Sequence, residues 1–133
     1  MNYEQFIERV RKKARMGALI EAEKAARATL EVLAEHIKKD HARALGDQIP
    51  EEIKKLLREV SSDSPPEKKK EGLGEFFTKV SERENVSLSK AIHHSKVVIS
   101  VLKDLLYWET IEKIKSQLSW EIGLLFEEVS SFV

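Results

Sequence analysis

Cysteine is absent from the chain, which excludes disulfides, thiolate nucleophiles and thiolate metal sites. Proline and glycine are scarce, three and five in 133 residues, so little interrupts the helical preference of a sequence dominated by Ala, Leu, Glu and Lys. Charge of a single sign is missing too. Twenty-three basic residues cancel 23 acidic ones, so no global field favours nucleic acid or an anionic membrane. The longest apolar stretches, such as Val97 to Leu102, are too short to span a bilayer. Met1 to Gln5 lacks the basic-then-apolar pattern of a signal peptide, and the expectation is a soluble cytoplasmic protein without a membrane role.

What the chain does contain is itself, written twice. Residues 3–62 return as 73–131, and from Leu19 onward the copies align without a gap at an offset of 69 (19 to 88). Leu19, Ala22, Val32, Leu33, Gln48, Glu52, Ile53 and Leu56 recur as Leu88, Ala91, Val101, Leu102, Gln117, Glu121, Ile122 and Leu125. At the front, Phe6 and Val10 recur as Phe76 and Val80 at an offset of 70 (6 to 76). A lone copy of about 60 residues would be marginally stable, so the two are expected to share a core. The expected organisation is a first helical repeat over 1–62, a solvated linker over 63–72, and a second repeat over 73–133.

Helical spacing runs through both copies. Asn2 and Gln5 form a capping-box pattern ahead of Phe6, Ile7, Val10 and Ala14, and Gly17 is expected to stop that helix. Leu19, Ala22, Ala26, Leu30, Leu33 and Ile37 then recur at spacings of three and four, which predicts one buried face. Asp40 is expected to cap a short helix over 41–47, and Pro50 to open another through Ile53, Leu56, Leu57 and Val60. In the second copy Asn85 provides the left-handed stop, Ser87 the cap, and Ser119 stands where Pro50 stood. No segment reads as a strand, because Val97-Val98-Ile99 lies inside a helical pattern. The fold class is all-α: two homologous repeats of about four helices each, packed into one unit.

The motifs Tyr3-Glu4-Gln5-Phe6, the Ala-rich stretch from Ala22 to Leu33, and Gln48-Ile49-Pro50-Glu51-Glu52 resemble the bacterial family named domain of unknown function 2267. The likeness covers nearly the whole chain. It implies an all-helical, soluble bacterial protein and brings no functional residues with it. The second copy departs at the turn, where Ser119 and Trp120 replace the proline and the acidic residue.

Candidate chemistry is thin. His36, Asp40 and His41 bring two imidazoles and a carboxylate together, a donor set that zinc accepts, but their partners Leu105, Glu109 and Thr110 do not repeat it. His93 and His94 are adjacent on a helix and point about 100° apart. The expectation is therefore no metal and no cofactor. Arg9, Arg11, Lys12, Lys13 and Arg15 form a basic stripe at the end of the first helix, where base complements the helix dipole. Glu51-Glu52 and Glu127-Glu128 pair carboxylates on amphipathic helices, without a nucleophile, a phosphate loop or a metalloprotease signature beside them.

The copies differ most tellingly where Lys38 and Lys39 become Tyr107 and Trp108, and where Glu51, Lys54 and Lys55 become Trp120, Gly123 and Leu124. Water does not favour that exchange, so Tyr107, Trp108, Trp120 and Leu124 are expected to form one covered apolar face, chiefly packed against the first copy. The favoured function is a non-catalytic binding or scaffolding module with a protein partner or a second copy of itself. The alternatives are a nucleic-acid-associated regulator using the Arg9 to Arg15 stripe and, more remotely, a metal-dependent enzyme around His36, Asp40 and His41. No small-molecule ligand follows from these residues.

Overall fold

The computed structural model describes residues 1–61 and 71–127, and every regular element among them is helical. The first half holds α1 (Tyr3–Ala14), α2 (Leu19–Ala34), the short α3 (Lys39–Arg43), a 3-10 turn (Gly46–Gln48) and α4 (Glu51–Val60). The second half holds α5 (Leu73–Glu84), α6 (Leu88–Leu105), α7 (Trp108–Lys115) and α8 (Trp120–Glu127).

The helix ends follow local chemistry. The Asn2 carboxamide oxygen accepts from Gln5 N at 2.8 Å while the Gln5 side chain accepts from Asn2 N at 3.0 Å, closing the capping box. Glu75 does the same for Gly72 N at 3.2 Å at the start of α5. Ser87 Oγ accepts from Lys90 N, and Ser119 Oγ from Ile122 N. Two expectations fail here. The left-handed stop of α1 is Arg15, with φ 59°, and not Gly17; its counterpart Asn85 has φ 61°. Asp40 lies inside the first turn of α3, whose cap is Lys38, so it complements the helix dipole but does not cap.

One hydrophobic cluster draws on both halves, from Phe6, Leu30 and Leu33 to Phe76, Ile99 and Leu102. At its centre α2 and α6 pack on each other, with α1 against α6 and α2 against α5. The halves also exchange a matched pair of hydrogen bonds. The Gln48 side chain accepts from Tyr107 N and the Gln117 side chain accepts from Lys38 N, each at 2.8 Å. Since 48 and 117 differ by 69, as do 38 and 107, each bond is the counterpart of the other. That reciprocity is the signature of an isologous contact, in which i meets j and j meets i.

An ion-pair chain ties α2 to α5. His36 Nε2 lies 2.8 Å from Glu71 Oε1, and Lys79 Nζ bridges Glu71 at 2.7 Å and Glu35 at 3.2 Å. Arg83 then joins Glu35 to Glu31. Glu71 was expected in a solvated linker; the rest of that linker, apart from Gly72, lies outside the described residues, but Glu71 itself is largely buried. Burial pushes its carboxyl up, yet the Lys79 and His36 hydrogen bonds outweigh it and hold the group below the ordinary carboxylate value of 4.5. A depressed carboxyl contributes stability that is present above the unfolded value and is lost as pH falls through the folded one. Glu71→Gln should therefore cost about 1–3 kcal/mol at neutral pH and lose less than the parent below pH 4.5, read by urea denaturation across that range. Equal acid sensitivity in the two proteins would contradict this account.

Candidate binding groove

The N-terminal ends of α1, α2 and α4 converge on an open groove of about 1070 Å³. Its apolar part comes from Ile7, Met1 and two neighbours on α2, Leu19 and Ile20, which are 54% and 57% exposed. This corrects the expected helix face. The stripe from Ala22 to Ile37 is buried as its spacing requires, but Leu19, at the first position of α2, lies beyond the edge of the core. Leu88, its identical counterpart, is 49% exposed at the same position of α6.

Five carboxylates edge the groove, those of Glu4, Glu8, Glu23, Glu51 and Glu52, and no Lys or Arg lines it. Three have partners that fix them. Arg11 and Lys12 hold Glu8, Lys54 and Arg58 hold Glu51, and Glu23 accepts from Tyr3 Oη at 2.8 Å. Burial and that bond to a carboxylate push the Tyr3 phenol up to about 12, so it stays a donor at any physiological pH. Glu4 and Glu52 make no ion pair among the described residues.

A smaller counterpart of about 590 Å³ opens in the second half, lined by Gly74, Phe77, Leu88 and Ile92. Here Gly74, Thr78 and Ile92 stand at the positions of Glu4, Glu8 and Glu23, while Trp120, the counterpart of Glu51, lies outside the lining (offsets 70 and 69). The Glu121 carboxylate accepts from Leu73 N at 2.9 Å, which seats the start of α8 against the start of α5 beside this groove. The aligned halves thus retain an exposed leucine, but the five carboxylates around the first are matched around the second by a lining whose charged members are Glu75 and Lys79.

Among the described residues the expected aromatic face does not pack against the first half. Tyr107, Trp108, Trp120 and Leu124 are all exposed, the tryptophans at 69% and 75%. Trp120 and Leu124 share one side of α8, one turn apart, whereas Tyr107 and Trp108 begin α7 next to Gln48. The halves meet instead through α2, α5 and α6 and the paired glutamines. Gly123 does not serve close approach either, since a Cβ there would meet nothing within 4 Å.

The other candidate residues are dispersed or engaged. Asp40 is exposed and paired with Arg43, while buried His36 bonds Glu71, so the three-residue set does not converge. Among the described residues no group of three metal-ligating side chains comes together. His93 Nε2 donates to the Ala14 carbonyl at 3.2 Å and His94 pairs with Glu84. Within the basic stripe, Arg11 and Lys12 serve Glu8, and Lys13 reaches Ser100 on α6.

Among the described residues no helix is long and apolar enough to cross a membrane. The fold and surface define an all-helical protein with an exposed apolar groove at its helix N-termini. The model of the family described as "Uncharacterized conserved protein (DUF2267)" matches residues 3–125, and the chain belongs to that family. No curated protein matches it significantly.

Proposed function

We propose that the protein is a non-catalytic binding module whose partner, another protein, docks an amphipathic segment in the groove formed by α1, α2 and α4. The observation that carries this reading is the exposure of Leu19 and Ile20 side by side above Ile7, in a groove edged only by acidic charge. Buried apolar positions are explained by folding, whereas adjacent half-exposed Leu and Ile flanking a groove of this size form the kind of contiguous apolar patch into which an amphipathic helix docks. The partner offers apolar residues to Leu19, Ile20 and Met1 and cationic flanks to the carboxylates. Charge complementarity favours this occupant over nucleic acid, which the same rim would repel.

A labelled helical peptide of leucine and lysine set at helical spacing tests the reading by fluorescence anisotropy. The parent should bind it, and Leu19→Asp with Ile20→Asp should weaken binding at least about tenfold while the far-ultraviolet dichroism stays unchanged. Undiminished binding to that variant would refute the assignment. So would a dimer of the parent, seen by sedimentation, that the same variant converts to a monomer, because the occupant would then be a second copy of the chain.

A further inference from the structure

We propose that Glu4 and Glu52 are the specificity-determining residues of this groove, selecting a segment that places a Lys or Arg within one helical turn of its apolar anchor. The inference rests on the binding role proposed above and adds how charge is read.

The five carboxylates are not equivalent. Glu8 and Glu51 are committed to cations in their own half, which fixes their orientation and offsets their charge, while Glu23 accepts from the neutral Tyr3 phenol, which fixes its orientation alone. Glu4, in the first turn of α1, and Glu52, in the first turn of α4, flank the apolar part without an ion pair among the described residues. First-turn acids complement the helix dipole. That role explains their presence on their own helices but not their convergence on one groove. The counterpart groove supplies an internal comparison. It keeps Leu88, has Gly74 in place of Glu4, and carries Glu75, which accepts from Gly72 N, beside the cation Lys79, while Glu121, at the position of Glu52, lies outside its lining and is spent on Leu73 N. Both free carboxylates are thus particular to the first groove. A cation brought beside them gains attraction without first breaking an existing pair, whereas a cation at Glu8 or Glu51 would compete with Arg11 or Lys54. Only the first groove is therefore built for a cationic segment, and one chain takes one such segment.

Three peptides of identical leucine spacing, with Lys, Gln or Glu at the polar positions, test this against the parent and the variant Glu4→Gln with Glu52→Gln. The Lys peptide should bind the parent tightest, with one site per chain and an affinity that falls with salt. The variant should lose roughly tenfold for the Lys peptide and little for the Gln peptide, since two exposed charge contacts contribute about 0.2–1 kcal/mol each. If the Gln peptide binds the parent as well as the Lys peptide does, or if the variant retains the full preference, the charge-reading role is wrong while the binding role stands. If none of the three binds, or if Leu19→Asp leaves every affinity unchanged, the binding role itself fails.

Discussion

Leu33→Ala and Leu102→Ala should each destabilise the protein by about 2–5 kcal/mol, measured by urea denaturation. Leu33 is 0% and Leu102 1% exposed, on the two long helices that pack together at the centre of the cluster. Removing three heavy side-chain atoms there forfeits their transfer energy and leaves a space that two rigid helices cannot close. The comparison that sharpens this is internal. Leu19 and Leu88 are also an identical pair at the same offset, yet about half exposed, and their replacement by Ala should stay within about 0.5 kcal/mol of the parent. Should all four variants lose similar stability, burial at these positions would not be what separates the pairs.

Those two pairs also show what a sequence conveys. Identity at a fixed offset marks equivalent positions but not their purpose, and the periodic stripe that identifies Leu33 as core runs on into Leu19, where the helix has passed the edge of its neighbours. Most caps were legible because they depend on a few adjacent residues: Asn2 with Gln5 and Ser87 act where their types require, whereas Asp40 sits inside the helix it was expected to cap. The stop at Arg15 was not, since a neighbouring glycine is the cheaper left-handed residue and only the offset of 70 from Asn85 points to the arginine. The recurrence of Gln48 as Gln117 was visible, but its use needs two segments far apart in sequence to meet. The same holds for Glu71, which reads as one charge among many beside a lysine run until His36 and Lys79 are folded against it. The exchange of Glu51 for Trp120 correctly marked a region where the halves differ. It could not reveal that Glu4, Glu8 and Glu23 belong to that same region, because they lie on other helices.

The buried pair of Glu84 and His94 gives the second large effect. Glu84 Oε2 lies 2.5 Å from His94 Nδ1, and Glu84 Oε1 has no hydrogen-bond partner among the described residues. Burial pushes the Glu84 carboxyl above its ordinary value of 4.5, against the opposing pull of His94 and Lys90. Lys24, Arg27, Arg83 and Glu31 line the cleft beside it, so its surroundings are mixed in charge. His94→Ala strands the carboxyl without any bonded oxygen and removes a packed ring, and should cost about 3–5 kcal/mol at neutral pH. Glu84→Gln keeps the shape and a polar partner for the imidazole but can no longer ionise. A carboxyl whose folded value is raised contributes stability that is present below the unfolded value, 4.5, and lost as pH rises through the folded one. The parent should therefore lose stability on that rise, opposite in sign to the contribution of Glu71, and Glu84→Gln should abolish that component while staying within about 1 kcal/mol of the parent at neutral pH. Chemical denaturation of the three proteins between pH 4 and pH 8 separates the two groups. A Glu84→Gln profile parallel to that of the parent, or a His94→Ala protein as stable as the parent, would show that this pair does not carry the burden its burial implies.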